Sequence, residues 1–293
     1  MPYPLISIVT PSLNQAQFLE HTLRSVLTQN YPNLEYVVID GGSTDGSVEI
    51  IKQYSPQLAY WISEPDSGHG NALNKGFAQT SGQIMTWLNS DDMYFPWTLE
   101  IVAEIFANHP EVNWITGISA IWNKKGQIIH AKPNFKNKYD FLLGRYAWIQ
   151  QEGTFWRRSL WKTVGGKIDE SYRMMVDGEL WCRFFMHTQL HHVHSLLGGF
   201  RLWGGNRSRE NMQTCHAEMR RCIDTMRLAC DFQTNSNIGR LQDILSNLQN
   251  AQRGIPLSEE LRRSIPKFLA EIGYDQLQYT DEGWKHFRIP FIL

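Results

Sequence analysis

Two adjacent acids, Asp91 and Asp92, stand where the chain reads Ile84-Met85-Thr86-Trp87-Leu88-Asn89-Ser90-Asp91-Asp92-Met93-Tyr94. The apolar half, just after Ser81-Gly82, predicts a short buried parallel strand. Asn89, Asp91 and Asp92 then fall at its carboxyl end, where open α/β sheets collect ligands. Neighbouring carboxylates repel unless positive charge lies between them, and a divalent cation with oxygen ligands supplies it. The same acids also suit a helix start, with Asp91 or Asp92 capping Phe95 to Asn108. Further acids end two earlier strands: Asp40 on one side, Glu64 and Asp66 on the other. Anionic groups converging on one rim fit a sugar nucleotide, since carboxylates accept hydrogen bonds from base and sugar while a metal neutralises the diphosphate. Each acid is also a plausible turn or helix cap, and for Asp45 and Asp66 that reading is preferred.

The elements that must position these acids alternate regularly. Leu5 to Val9 reads as a buried strand, and Pro11-Ser12-Leu13-Asn14 leads into a helix with Phe18, Leu19, Leu23, Val26 and Leu27 on one face. Leu34 to Ile39 is a second strand, followed by a short helix and a third strand near Leu58 to Ile62. A helix near Asn71 to Gln79 precedes the strand that carries the paired acids. Strand alternating with helix predicts right-handed crossovers and a doubly wound, mostly parallel sheet.

Other phosphate-binding schemes are poorly served. The turn after the first strand, Thr10-Pro11-Ser12-Leu13-Asn14, contains no glycine, and no Gly-x-x-x-x-Gly-Lys-Ser/Thr occurs. Dinucleotide-binding and P-loop readings therefore fail, as does nucleotidyl transfer, which needs a Gly-rich basic loop there. A net charge of −1 over 293 residues leaves no basic stripe for nucleic acid. The 42% hydrophobic content suffices for a large core. The start lacks a signal-like segment and no apolar run could span a membrane. Cys182, Cys215, Cys222 and Cys230 show no Cys-x-x-Cys spacing and are expected to be reduced. The expectation is a cytoplasmic protein.

The order of these motifs resembles glycosyltransferase family 2, with its GT-A fold. The matching segments are Ile6 to Asn14, Val37 to Gly46, Ser63 to Gly68, Asn74-Lys75-Gly76 and Trp87 to Asp92, and the likeness runs from about residue 5 to 205. The resemblance implies a donor site of Pro11, Ser12, Asn14, Asp40, Glu64, Asn74, Lys75 and Asp91, with Asp40 on the base, usually uracil. It assigns Asp91 and Asp92 to a Mn2+ or Mg2+ ion and the diphosphate. It implies an α/β GT-A domain over 1–205, with antiparallel edge strands suggested by Asn123-Lys124-Lys125-Gly126 as a hairpin turn.

Gln150 to Arg158 resembles the family segment that lays a strand beside the metal and then a short helix, leaving Gln151 and Glu152 for acceptor hydroxyls or as an edge-strand polar pair. Asp177, ahead of Gly178-Glu179-Leu180-Trp181, could merely cap a helix. Inverting transfer also needs a base, and the resemblance places it at Asp177, with Glu179 in reserve. Arg201 precedes Trp203, where family members often have a histidine near the metal or diphosphate; Asn206, Arg207 and Ser208 could touch phosphate in its place, but a solvated loop is the preferred reading.

Histidines 187, 191, 192 and 194 do not read as a zinc site, because strand beginning at Gln189 breaks any helical face. Residues 206–293 read as a helical appendage: Ser208 to Cys230, Ile238 to Leu248, and Ser258 to Ile272 interrupted by Pro266. The apolar tail Phe287 to Leu293 is expected to dock on the core, with a homodimer partner or the inner membrane face as other destinations. The sequence thus points to a metal-dependent inverting glycosyltransferase using a nucleotide sugar, UDP-linked by resemblance, and a saccharide or lipid-linked acceptor. The rival is a nucleotide-sugar-binding module without turnover, suggested by Asn89, Val176 and Trp203 where other residues are commoner.

Overall fold

The computed structural model describes residues 3–146, 148–253 and 255–293. Its strands are β1 (Ile6–Ser12), β2 (Leu34–Asp40), β3 (Tyr60–Ser63), β4 (Ile84–Trp87), β5 (Met93–Tyr94), β6 (Trp114–Thr116), β7 (Ser119–Trp122), β8 (Ile128–Lys132), β9 (Thr154–Arg157), β10 (His191–Val193), β11 (Gly198–Arg201), β12 (Tyr274–Thr280) and β13 (Gly283–Ile289). The main sheet runs β13-β12-β10-β6-β9-β4-β1-β2-β3, and a smaller one runs β5-β11-β7-β8. Strands β4-β1-β2-β3 are mutually parallel, as the alternating strand and helix signals predict. β9 runs antiparallel between β4 and β6, and β7-β8 is the expected hairpin.

Helices cover both faces: α1 (Ala16–Leu27), α2 (Ser47–Tyr54), α3 (His69–Ala78), α4 (Thr98–Asn108), α5 (Lys138–Leu142), α6 (Arg158–Thr163), α7 (Val176–Phe185), α8 (Arg207–Glu210), α9 (Met212–Leu228), α10 (Phe232–Gln252) and α11 (Glu259–Glu271). Burial on both sides explains why the central strands read as continuous apolar runs. Period two sorts them: Val9, Val37, Ile39, Met85 and Trp87 pack with α3, α6 and α7, while Ile8, Tyr36, Val38 and Ile84 pack with α1 and α4. On the first face Trp87 and Trp181 stack at 5.9 Å, and Trp114 and Trp156 close around them. This indole cluster fixes α7 against β4, so the two site-bearing elements cannot slide independently. Gly76 permits the approach of α3 to the sheet, since a Cβ there would lie 2.3 Å from Val9 Cγ1.

Four expectations need correcting. Asp91 and Asp92 do not cap a helix: α4 begins at Thr98, its N-cap position is Trp97, and no side chain caps it. The run from Asn113 to Trp122 is two strands in two sheets, broken at Gly117. Pro266 lies inside α11 without ending it. The carboxyl-terminal region is helical from α8 to α11, but it finishes in the hairpin β12-β13, which extends the main sheet beside β10. The tail continues β13 as far as Ile289, and Phe291 beyond the strand docks in a core cluster with Tyr274 and Phe268. All four cysteines are free, as expected, and no helix among the described residues is long and apolar enough to cross a membrane.

Candidate active site

The paired acids lie in the short loop between β4 and β5, with Arg201 at the end of β11 and Glu152 before β9 closing on them. Asp92 is fully buried, and its Oδ1 accepts the Arg201 backbone N–H at 2.7 Å. Its Oδ2 meets Asn89 Nδ2 at 3.4 Å and faces Glu152 from the turn before β9. Asp91 Oδ2 accepts the indole N–H of Trp203 at 2.8 Å, and its carbonyl accepts Arg201 Nε at 2.6 Å. Arg201 is itself fully buried, with its guanidinium 4.8 Å from the centre of the Phe18 ring. One cation thus braces the loop through backbone groups and leaves the carboxylates to something else.

Burial and mutual repulsion show in the acidities. Burial, with Glu152 and Asp91 close by, pushes the Asp92 carboxyl well above the usual carboxylate range. Burial also raises Asp91, though the Trp203 hydrogen bond and Arg201 oppose it. Glu152 is pushed up to about 7 by burial, with Asp177 and Asp91 adding to the rise. Asp177, in the first turn of α7, is pushed up to about 6 by burial, against the Gly178 N–H that bonds its Oδ1 at 2.8 Å. Four carboxyl groups from three segments therefore share one field. Glu152 Oε2 is buried without a hydrogen-bond partner among the described residues, an acceptor waiting for a proton or a cation.

An all-oxygen donor set of Asp91, Asp92 and Glu152 suits Mg2+ or Mn2+. Three of these acids do not close within 4.8 Å of one another among the described residues. The arrangement fits an ion that arrives on a diphosphate and takes one or two protein carboxylates.

The remaining expected residues divide by what already holds them. Ser12 is buried at the end of β1, and its Oγ has no partner among the described residues. Pro11 lies beside it in the same strand. Asn14, at φ 52°, holds the Thr44 N–H on Oδ1, and its own N–H bonds Ser43 Oγ, so it ties two loops together. Asp40 Oδ2 accepts from the Gly42 and Ser43 N–H groups and from Ser63 Oγ, and its Oδ1 accepts Ser43 Oγ. Oδ1 carries only one of these four bonds, so it keeps acceptor capacity for a further donor such as a base N–H. Asp66 Oδ2 lies beside Gly41, only 2.8 Å from where a Cβ would sit, and so presents a carboxylate at the same loop.

Glu64 pairs with Lys75 at 2.7 Å, partly exposed on both sides. Asn74 is engaged by the Ile168 backbone and Glu170, and so docks the 168–170 loop on α3. Gln151 donates to the Trp87 carbonyl at the end of β4. Glu179 forms a two-pronged ion pair with Arg183, both bonds 2.7 Å, while Asp177 has no such cation. Asp45, as expected of a cap, accepts the Ala16 and Ser47 N–H groups. Asn206 bonds the Arg201 carbonyl and the Trp203 N–H, which holds the turn that delivers Trp203.

Two site residues were not anticipated. His69, the first residue of α3, bonds Asn89 Oδ1 at 3.1 Å, and burial, with Arg207 nearby, lowers its pKa to about 4. Gly68-His69-Gly70 carries no signal by itself; only the packing of α3 under the paired-acid loop gives it a role. Gly198 is the other, because a Cβ there would fall 2.0 Å from the Glu152 carbonyl. Strand β11 thus presses directly on the Glu152 turn.

The profile described as glycosyl transferase family 2 matches residues 7–185. An uncharacterized glycosyltransferase of Rickettsia typhi is 29% identical over 201 residues, covering 66% of this chain and 63% of that protein. A PGL/p-HBAD biosynthesis glycosyltransferase of Mycobacterium bovis BCG is 28% identical over 214 residues, covering 70% and 80%. The chain thus spans less than two thirds of the rickettsial relative's length. Among solved structures, S. aureus TarS 1-349 in complex with UDP-GlcNAc aligns at a TM-score of 0.65 and 16% identity over 91% of this chain and 80% of that one. The mannosyltransferase PcManGT of Pyrobaculum calidifontis, solved with GDP-Man and Mn2+, aligns at 0.55 and 16% identity over 82% and 80%. With the family profile covering the parallel sheet, the acid loop and α7, the chain belongs to glycosyl transferase family 2.

Proposed function

We propose that the chain transfers a sugar from a nucleotide donor, UDP-linked by sequence resemblance, to a hydroxyl of a saccharide or lipid-linked acceptor, with inversion at the anomeric carbon. The observation that carries this reading is that Asp91, Asp92, Glu152 and Asp177 share one field; Glu152 and Asp177 both have raised acidities and no paired cation among the described residues, and Asp177 holds the position that the family resemblance gives the base. A Mg2+ or Mn2+ ion held with the diphosphate by Asp92 and Asp91, and by Glu152 if it reaches, would neutralise the leaving group. Asp177 accepts the acceptor hydroxyl proton as the new C–O bond forms. The bond from anomeric carbon to diphosphate breaks with its electron pair leaving on the nucleotide. A carboxyl poised near 6 is ionised at neutral pH yet basic enough to share that proton. Ser12 and the Gly41-Gly42-Ser43 loop, together with Asp66, offer the base its polar contacts.

Nucleoside diphosphate release from a panel of nucleotide sugars, with Mn2+ and candidate hydroxyl acceptors, tests the proposal. Asp177→Asn should bind donor and release almost no diphosphate. Wild-type protein that binds donor but turns over none of the panel would favour the binding-module reading instead.

A further inference from the structure

At the opposite side of the main sheet from the acids, β10, β12 and β13 lie edge to edge. Parallel pairing sets His191 beside Asp275, and antiparallel pairing sets Asp275 beside Arg288, two residues from His286 on the same face. One ligand atom from each of His191, Asp275 and His286 lies within 4.8 Å of the others, the only such trio among the described residues. We propose that these three side chains form a second metal site, for a divalent ion that favours imidazole, such as Zn2+, with the carboxyl-terminal hairpin clamped to the sheet through it.

The competing account is a self-contained ion-pair network. Asp275 Oδ1 does accept Arg288 Nη1 at 2.6 Å and His286 Nε2 at 2.9 Å. That network leaves two things unexplained. His191 is 8% exposed, and its buried Nδ1 has no hydrogen-bond partner among the described residues. Both bonds to Asp275 fall on one oxygen, leaving Oδ2 to bind something else. A buried ring nitrogen without a partner is costly, and a coordinated ion would satisfy it. Tetrahedral Zn2+ with bonds of about 2.0–2.1 Å needs ligand atoms roughly 3.4 Å apart, so the trio, whose ligand atoms lie within 4.8 Å of one another, closes with shifts of no more than about 1.4 Å. A water molecule can fill the fourth position. Arg288 then orients Asp275 from behind, as outer-shell partners commonly do.

Calorimetric titration of the full chain with Zn2+, in excess Mg2+ to occupy the oxygen-only acid cluster, tests this directly. One Zn2+ per chain should bind and raise the melting midpoint. His286→Gln, at a half-exposed position, should fold normally without metal yet weaken Zn2+ binding by more than tenfold, since even outer-shell changes cost roughly 10–100-fold. Asp92→Asn should leave Zn2+ binding unchanged. Absence of Zn2+ binding, unaltered binding in His286→Gln, or loss of it in Asp92→Asn would each overturn the proposal.

Discussion

Replacing Asp177 by Asn should make the protein more stable and nearly inactive at once. Burial lifts the Asp177 carboxyl from 3.8 to about 6. A raised acid favours the folded state most when protonated, so its contribution is fullest below pH 4 and falls away as pH rises through 4 to 6. Each pH unit of difference is worth 1.36 kcal/mol, so the ionised carboxylate costs the fold about 3 kcal/mol at pH 8. Asn, similar in shape and never charged, escapes that cost. Urea midpoints measured from pH 4 to 8 should therefore show the variant matching wild type at pH 4 and exceeding it by about 2–3 kcal/mol at pH 8. Turnover should fall about 10²–10⁴-fold in the variant, and the wild-type kcat/KM should rise on an acid limb near pH 6 that the variant lacks. A stability difference that is flat with pH would refute the placement of this carboxyl in a desolvated pocket. Retained turnover would refute its role as base.

Other consequences are as direct. Trp203→Phe removes the only side-chain donor on Asp91 Oδ2 among the described residues and should weaken Mn2+-dependent nucleotide binding by roughly 10–150-fold, read by calorimetry, because hydrogen bonds to charged groups are worth roughly 1.5–3 kcal/mol. Gly198→Ala drives a methyl into the Glu152 carbonyl and should lower stability by at least the roughly 1–3 kcal/mol typical of overpacking, with loss of nucleotide binding. Trp181→Ala opens the indole cluster and should cost about 3–5 kcal/mol in denaturant unfolding.

The parallel half of the fold was readable because β1, β2 and β4 are buried on both faces and so appear as unbroken apolar runs. The hairpin β12-β13 was not, because Tyr274-Asp275-Gln276-Leu277-Gln278 carries buried polar residues where an apolar run would mark a strand, and Asp275 finds its partners across the hairpin. Separation hid His191, Asp275 and His286, far apart in sequence and joined only by strand order. In the acid cluster, Asp91, Asp92 and Asp177 stood out because motif spacing marks strand and helix ends. Glu152 was legible as a polar site residue, but its facing of Asp92 depends on Gly198 and the antiparallel β9. Motif position alone could not show that Asn74 docks a loop or that Trp203 reaches back to Asp91, since both depend on side-chain reach across the fold.

Calorimetric binding of UDP, GDP, dTDP and CMP, each with Mn2+ and with EDTA, tests the central claim most directly. One nucleotide should bind with Mn2+, lose most of its affinity in EDTA, and lose it again in Asp92→Asn. Absence of binding by every nucleotide under both conditions would contradict the account of the acid cluster as a donor site.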